Sequence, residues 1–309
     1  MRKMINTVHV EGYVYEHKLE KKVSGATAAN PNTEYITGTL SVATDDAMTN
    51  VVQIHFTYVT ATTKKGGTNN TFTILNSIIS GNVKTVMSDG KDLAGMVRID
   101  TAIDLNEWYD KNNEFISTKR IEGGFVHLTN ELNSESQRAR FETDIVISNC
   151  TRIDANEERK IPERVVVKGA IFNFRQALLP VEFTVLHPAA MDYFEDLGAS
   201  SSNPIFTRVK GQLVSQTTVR TITEESAFGE ASVREVKSSQ RDYVIDWAQG
   251  EPYTWDDEST ILASEFTEAI ANREIHKAEI KKRQDEYQAS RGNAIPAATV
   301  AATKSDYNF

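Results

Sequence analysis

From residue 6 to residue 15 apolar and polar positions alternate without a break. Val8, Val10, Gly12 and Val14 fall on one face, and His9, Glu11, Tyr13 and Tyr15 on the other. A period of two over this length predicts a half-buried strand, and Gly12 inside it marks the bend or bulge that a closing barrel needs. Residues 165–172 align with this run without a gap, placing Val8 on Val165, Val10 on Val167, Gly12 on Gly169 and Tyr15 on Phe172. A second alternating run follows each copy, at 35–42 and at 181–185, so the pattern predicts two barrels in tandem.

Further strands are predicted at 51–60, 96–105, 121–128 and 140–149, and an alternating run with Arg208, Lys210 and Gln212 outward at 206–214. Phe72, Leu75, Ile78 and Ile79 recur at helical spacing before Gly81, which predicts a short helix plugging one barrel end. A second helix opens at Pro188 and stops at Gly198. Residues 16–32 and 64–70 are predicted as loops, the second basic through Lys64 and Lys65, and residues 106–113 as a polar loop carrying Trp108 and Tyr109. The charged run 154–160 ahead of Pro162 sets the expected division: 1–155 a first barrel, 156–250 a second, 251–291 a linker and long amphipathic helix, and 292–309 a disordered tail. That long helix is predicted over 259–290, with an apolar stripe of Ile261, Leu262, Phe266, Ile270 and Ile275.

Composition narrows the function. The chain has 309 residues, 39% hydrophobic, enough for two cores, and no stretch of it is apolar enough to span a bilayer. Residues 1–5 enter the first strand without an apolar leader, so a cytoplasmic location is expected. Cys150 is the one cysteine, which excludes an internal disulfide and a multi-cysteine zinc site. The net charge of −9 argues against a uniformly basic surface and leaves room for a local basic stripe. Phosphate-binding glycine motifs are absent, and the six histidines fall singly, without metal-ligand spacing. The expectation is therefore a non-enzymatic protein with no cofactor and no metal.

Residues 6–14, Asn-Thr-Val-His-Val-Glu-Gly-Tyr-Val, followed by Gly38-Thr39-Leu40-Ser41-Val42-Ala43, resemble the opening strands of the oligonucleotide-binding (OB) fold of single-stranded DNA-binding proteins. Barrels followed by a tail ending in an aromatic resemble the bacteriophage-encoded members of that group. Two departures stand out: two barrels in one chain, and a tail tip with a single acid, Asp306, where the group carries several. The resemblance implies a mainly β fold of two tandem OB-like β-barrels, a long C-terminal α-helix and a disordered tail. It implies a protein that binds and protects single-stranded DNA in replication or recombination, largely without sequence specificity. Protein partners from replication or recombination would be engaged through the helix and through Asp306, Tyr307 and Phe309.

Such proteins stack bases on aromatic faces, at about 1–3 kcal/mol per base, beside cations that neutralise phosphates. In this chain those roles fall to Tyr13, Tyr15, Lys18, Lys21, Lys22, Tyr35, Lys64, Lys65, Trp108 and Tyr109 in the first barrel, and to Phe172, Phe174, Arg175, Arg208 and Lys210 in the second. The alternative is an OB-like structural or assembly module of a phage or multiprotein complex, with the long helix mediating oligomerisation.

Overall fold

Alternation beyond Tyr15 keeps the first strand going well past the expected loop boundary, so β1 runs Asn6–Val23. The computed structural model describes residues 3–110, 112–156, 161–224, 232–257 and 260–292; for 216–224, 232–240 and 290–292 it describes the backbone alone. After β1 come β2 (Glu34–Ala43), β3 (Val51–Thr60), α1 (Asn70–Ile79), α2 (Val86–Asp89), β4 (Met96–Tyr109) and β5 (Phe115–Thr129). These are followed by β6 (Ala139–Ile153), β7 (Arg164–Phe172), β8 (Leu178–Val185), α3 (Pro188–Asp196), β9 (Ile205–Glu224), β10 (Ser232–Ala248) and α4 (Ala263–Gly292).

Among the described residues the strands form one continuous sheet that closes twice. β1 pairs with both β2 and β4, and β3 pairs in parallel with β5 through Ile54 and Ile121, giving the ring β1-β2-β3-β5-β4. β6 pairs with both β7 and β9, and β8 pairs in parallel with β10 through Thr184 and Val244, giving β6-β7-β8-β10-β9. Each ring carries a helix between its third and fourth strands, the arrangement of an OB-type barrel, and closure removes the free edges that invite aggregation. α1 buries Phe72, Leu75 and Ile78 in the first barrel, and Asn69 caps it by accepting from Thr71 N.

The pairing also corrects the internal alignment. β7 occupies the second-strand position of its barrel, and the counterpart of β1 is β6. Glu11 stands opposite Arg98 across β1 and β4 as Asp144 stands opposite Arg208 across β6 and β9, and the bulge after Val14 recurs after Ile147. The similarity of residues 8–15 to 165–172 reflects a shared packing demand instead. A Cβ on Gly12 would lie 2.0 Å from Ala43 O, and one on Gly169 2.5 Å from Val146 O. On this pairing we place the division between the barrels after Thr129 and before Ala139, not at residue 155.

β1 and β6 are joined antiparallel about a local twofold axis. Val8 faces Phe141, its own counterpart, while Thr7 opposite Glu142 mirrors His9 opposite Arg140. One hydrophobic core runs through both barrels. A second, smaller core of Phe172, Phe206, Ile261 and Ala269 seats the segment after β10, where Tyr253 and Trp255 pack on Phe206 and Trp255 Nε1 donates to Pro204 O.

The expected apolar stripe of α4 divides. Ile261, ahead of the helix, is buried, whereas Leu262, Ile270 and Ile275 are exposed. The helix docks instead through Phe266, Ala269 and the buried ion pair of Arg273 with Glu107, then lays Lys277 over Phe115 and Lys281 over Tyr109. None of the described helices is long and apolar enough to cross a membrane.

Gly38 shapes the surface that matters most below. Its φ of 124° lies in the left-handed half of the map, a Cβ there would lie 2.0 Å from Lys18 O, and the β2–β3 register shifts beside it. Gly38→Ala is expected to cost about 3 kcal/mol through combined backbone strain and overlap, read as a lower midpoint in urea unfolding with an unchanged slope.

Candidate nucleic-acid interface

The register shift at Gly38 decides which aromatics face out. On β3, Val52, Ile54 and Phe56 point into the barrel and Gln53, His55 and Thr57 point away, so simple alternation would send Tyr58 inward. The bulge between the Ile36 and Gly38 rungs reverses the phase, and Tyr58 emerges 44% exposed with its ring centroid 4.5 Å from that of Tyr35 on β2. Around this pair the outward positions of β1 and β2 bring Lys18 opposite Thr39, Glu20 opposite Thr37, and Lys22 opposite Tyr35. His55 Nε2 lies 3.5 Å from Thr39 Oγ1.

The cations here are lightly held. Lys18, Lys64 and Lys65 are exposed and make no ion pair among the described residues, whereas Lys21 pairs with Glu34 at 2.9 Å and Lys22 with Glu20 at 2.8 Å. Both pairs are solvent-exposed, so each contributes little and a phosphate can displace the carboxylate. Hydrogen bonding to Glu20 raises the Lys22 ammonium above its ordinary value, so it stays charged at neutral pH. The β1–β2 loop closes through Ser24 N donating to Thr33 O, and the β4–β5 turn through Asn112 N and Glu114 N donating to Asp110 Oδ1. The β1–β2 loop lies at the Tyr35 end of the β2–β3 face, one of the positions from which OB barrels grip a strand, whereas the β4–β5 turn lies against α4, where Gln284 accepts from Tyr109 N.

Of the residues singled out from sequence, the structure brings Tyr35, Lys18 and Lys22 together on this face, with Lys64 and Lys65 on the loop that leaves β3; Lys21 has the opposite phase, facing the buried Ile36 with its ammonium 5.8 Å from the Phe72 ring of α1. Tyr13 lies eight rungs from Tyr35 along the β1–β2 ladder, with the Lys91 ammonium 5.1 Å from its ring, and Tyr15 sits in the β1 bulge. Trp108 and Tyr109 are in β4 rather than a loop; Trp108 is half-exposed, while Tyr109 packs on Phe115 beneath Lys281.

In the second barrel Phe172 cannot serve as a stacking face, because it is 0% exposed in the smaller core. Arg208 is committed to the buried Asp144 at 2.8 Å, and Lys210 to Glu142 at 3.3 Å and to the Trp247 ring at 5.0 Å. Phe174 and Arg175 are exposed on the β7–β8 turn, with the guanidinium 5.1 Å from the ring. On the outward β7–β8 face, Lys168 pairs with Glu182 at 2.9 Å, and Arg152 nearby is held by Glu163, Asp192 and Glu195. Asp306, Tyr307 and Phe309 lie outside the described residues.

Glu11, expected outward, is fully buried on β1. Burial pushes its carboxyl up, but donors from Asn133 N, His9, Arg98 and Asn133 Nδ2 outweigh it and leave the group below the usual carboxylate range. It is a structural anchor, matched by Asp144, which accepts from Arg208 and Ile5 N. The sequence reading also missed Tyr58, Gln53, His55 and Arg120, and, on the far side, Phe125 and Trp247. The last two hold matching positions in the two barrels, opposite Asp100 and Lys210. Among the described residues no group of three or more His, Cys, Asp or Glu is placed to hold a metal ion.

The profile of the YorF family matches residues 4–286, and the chain belongs to that family. No curated protein sequence matches it significantly. Among solved structures it is similar to a deletion mutant of the single-stranded DNA binding protein from Thermus aquaticus. The TM-score is 0.46 and the identity 10%, over 84% of this chain and 100% of that one.

Proposed function

We propose that this protein binds single-stranded DNA on the β2–β3 face of its first barrel, largely without sequence specificity. The observation that carries the reading is the pairing of the exposed Tyr58 with the half-buried Tyr35, with ring centroids 4.5 Å apart, beside the uncompensated Lys18. A π-face accepts any base, and a mobile ammonium accepts any phosphate, so the chemistry suits a strand of arbitrary sequence. The role we assign is non-enzymatic protection of single strands during replication or recombination in the cytoplasm, of the kind phages encode. Fluorescence anisotropy of a labelled thymidine oligonucleotide, competed by the unlabelled single strand or duplex, tests this across a salt series. Preference for the single strand and a log affinity falling with log salt by about 0.7 per phosphate contact are expected. No binding at low salt, or equal competition by duplex, overturns it.

A second reading, an assembly module, draws on the far side of the molecule. There Phe125 and Phe174, 72% and 74% exposed, border a groove of about 740 Å³ over the β1–β6 seam. Its ionic groups are largely paired with one another: His9 with Asp100, Lys210 with Glu142, and Arg140 with Asp246. A concentration-dependent mass by light scattering that Phe125→Ser abolishes, without loss of DNA affinity, would favour this reading for that side.

A further inference from the structure

Along β3 the outward residues run from Tyr58 through His55 to Gln53, and at Gln53 the two barrels meet. Arg241 of β10 donates to Gln53 Oε1 at 2.9 Å. Asn50, just ahead of β3, donates to Leu213 O at 3.0 Å and accepts from Ser215 N at 2.6 Å. These bonds run from side chains of one barrel to the strands of the other and hold the junction in register. Beside them lies a cleft of about 330 Å³ lined by His55, Gln53, Arg120, Ser215, Arg241 and Asp242, among others.

The charge in this cleft is unevenly satisfied. Arg120 is paired with Glu122 at 2.9 Å, whereas Arg241 spends its bond on the neutral amide of Gln53. Asp242 is the carboxylate in the wall. Lys119 is bound to Glu182 O and lies against the rings of Tyr243, at 4.5 Å, and Phe183. Burial brings its ammonium down to about 8, against the pull of Asp242 and Glu182. The exposed guanidinium of Arg241 is therefore a cation in the cleft whose hydrogen bond goes to an uncharged partner. It stands in line with the outward row of β3.

Resting on the strand-binding reading above, we infer that this cleft is the second half of the same site. A single strand stacked on Tyr35 and Tyr58 continues along β3 and places a phosphate on Arg241, so that one strand spans both barrels. Five residue steps along the strand take Tyr58 to Gln53, a run of roughly 17 Å, which a few nucleotides cover. The second barrel's own β7–β8 face competes poorly for this continuation, since Lys168 and Arg152 are both occupied by carboxylates.

Two thymidine oligonucleotides separate the halves, one of about 5 nucleotides and one of about 20, bracketing the span of one OB barrel. Arg241→Ala is expected to weaken the longer one about five-fold and to reduce its salt slope by about 0.7, leaving the shorter one unchanged. Arg241→Lys should keep most of the affinity, and because the Gln53 bond is exposed and the two Asn50 bonds still tie the barrels, the unfolding midpoint should move little. Unchanged binding of the long oligonucleotide overturns the inference, and so does equal weakening of both lengths. If the unsubstituted protein binds neither length, the strand-binding reading itself has failed, and the cleft falls with it.

Discussion

Replacing Tyr35 and Tyr58 together by alanine should lower the affinity for a thymidine oligonucleotide about a hundred-fold, with each single change giving about ten-fold. The rings touch, and any departure of the double change from the product of the two single ones measures their coupling. Tyr58 is 44% exposed, so its loss removes little from the core. The unfolding midpoint should move by far less than the affinity. Phe125→Ala and Trp247→Ala, on the other side of the barrels, should leave binding as it was. Binding that survives the double change and fails in those controls would move the interface to the β1–β6 seam.

The largest effect on stability is expected at the ion pair that fastens α4. Arg273 Nη1 donates to Glu107 Oε2 at 2.7 Å, and each side chain is 6% exposed. Arg273→Ala leaves the carboxylate buried without its partner, at a cost of about 3–5 kcal/mol, while replacing both residues by methionine should recover most of it. Burial alone would raise the Glu107 carboxyl; the paired bonds from Arg273 and the one from Ser117 outweigh it, so the group sits below its ordinary value. The folded state therefore holds its proton less tightly than the unfolded chain. The stabilisation is complete above the unfolded value near 4.3 and is lost as pH falls through the lower folded value. Limited proteolysis should release the helix segment in the Arg273→Ala protein at neutral pH, and in the unsubstituted protein only in acid. Equal resistance of both proteins at pH 7 would show that the helix is held by its other contacts, Phe266, Ala269 and the Lys277 and Lys281 stacks on Phe115 and Tyr109.

Much of this architecture was written in alternation. The strand expected over 51–60 coincides with β3, the one over 165–172 differs from β7 by one residue at its start, and the one over 35–42 differs from β2 by one residue at each end. Alternation was weak where polar side chains sit in long hairpins. β4 continues through Trp108 and Tyr109, and the partner of β9 was not recognised, because outward residues on such strands look like loops. The repeat was legible only in part. Its true counterparts, Glu11 with Arg98 and Asp144 with Arg208, share chemistry but not identity, whereas the V-x-V-x-G echo shares identity without position. The site suffered for a related reason. Tyr35 was visible by phase, but Tyr58 was hidden because a bulge set by Gly38, in another strand, reverses the alternation of β3. Phe172 failed in the opposite sense: its outward phase is covered by the segment leading into α4, a tertiary contact that no local pattern carries.

Photo-crosslinking locates the residues that touch the strand. A thymidine-rich oligonucleotide carrying bromodeoxyuridine would be irradiated with the full chain, and the modified peptides identified by mass spectrometry. Crosslinks are expected at Tyr35 and Tyr58, with a secondary set at His55 and around Arg241 for longer strands, all suppressed by excess single strand and not by duplex. Crosslinks confined to Phe125, Phe174 and Trp247, or none above the level of a duplex control, would contradict strand binding on the β2–β3 face.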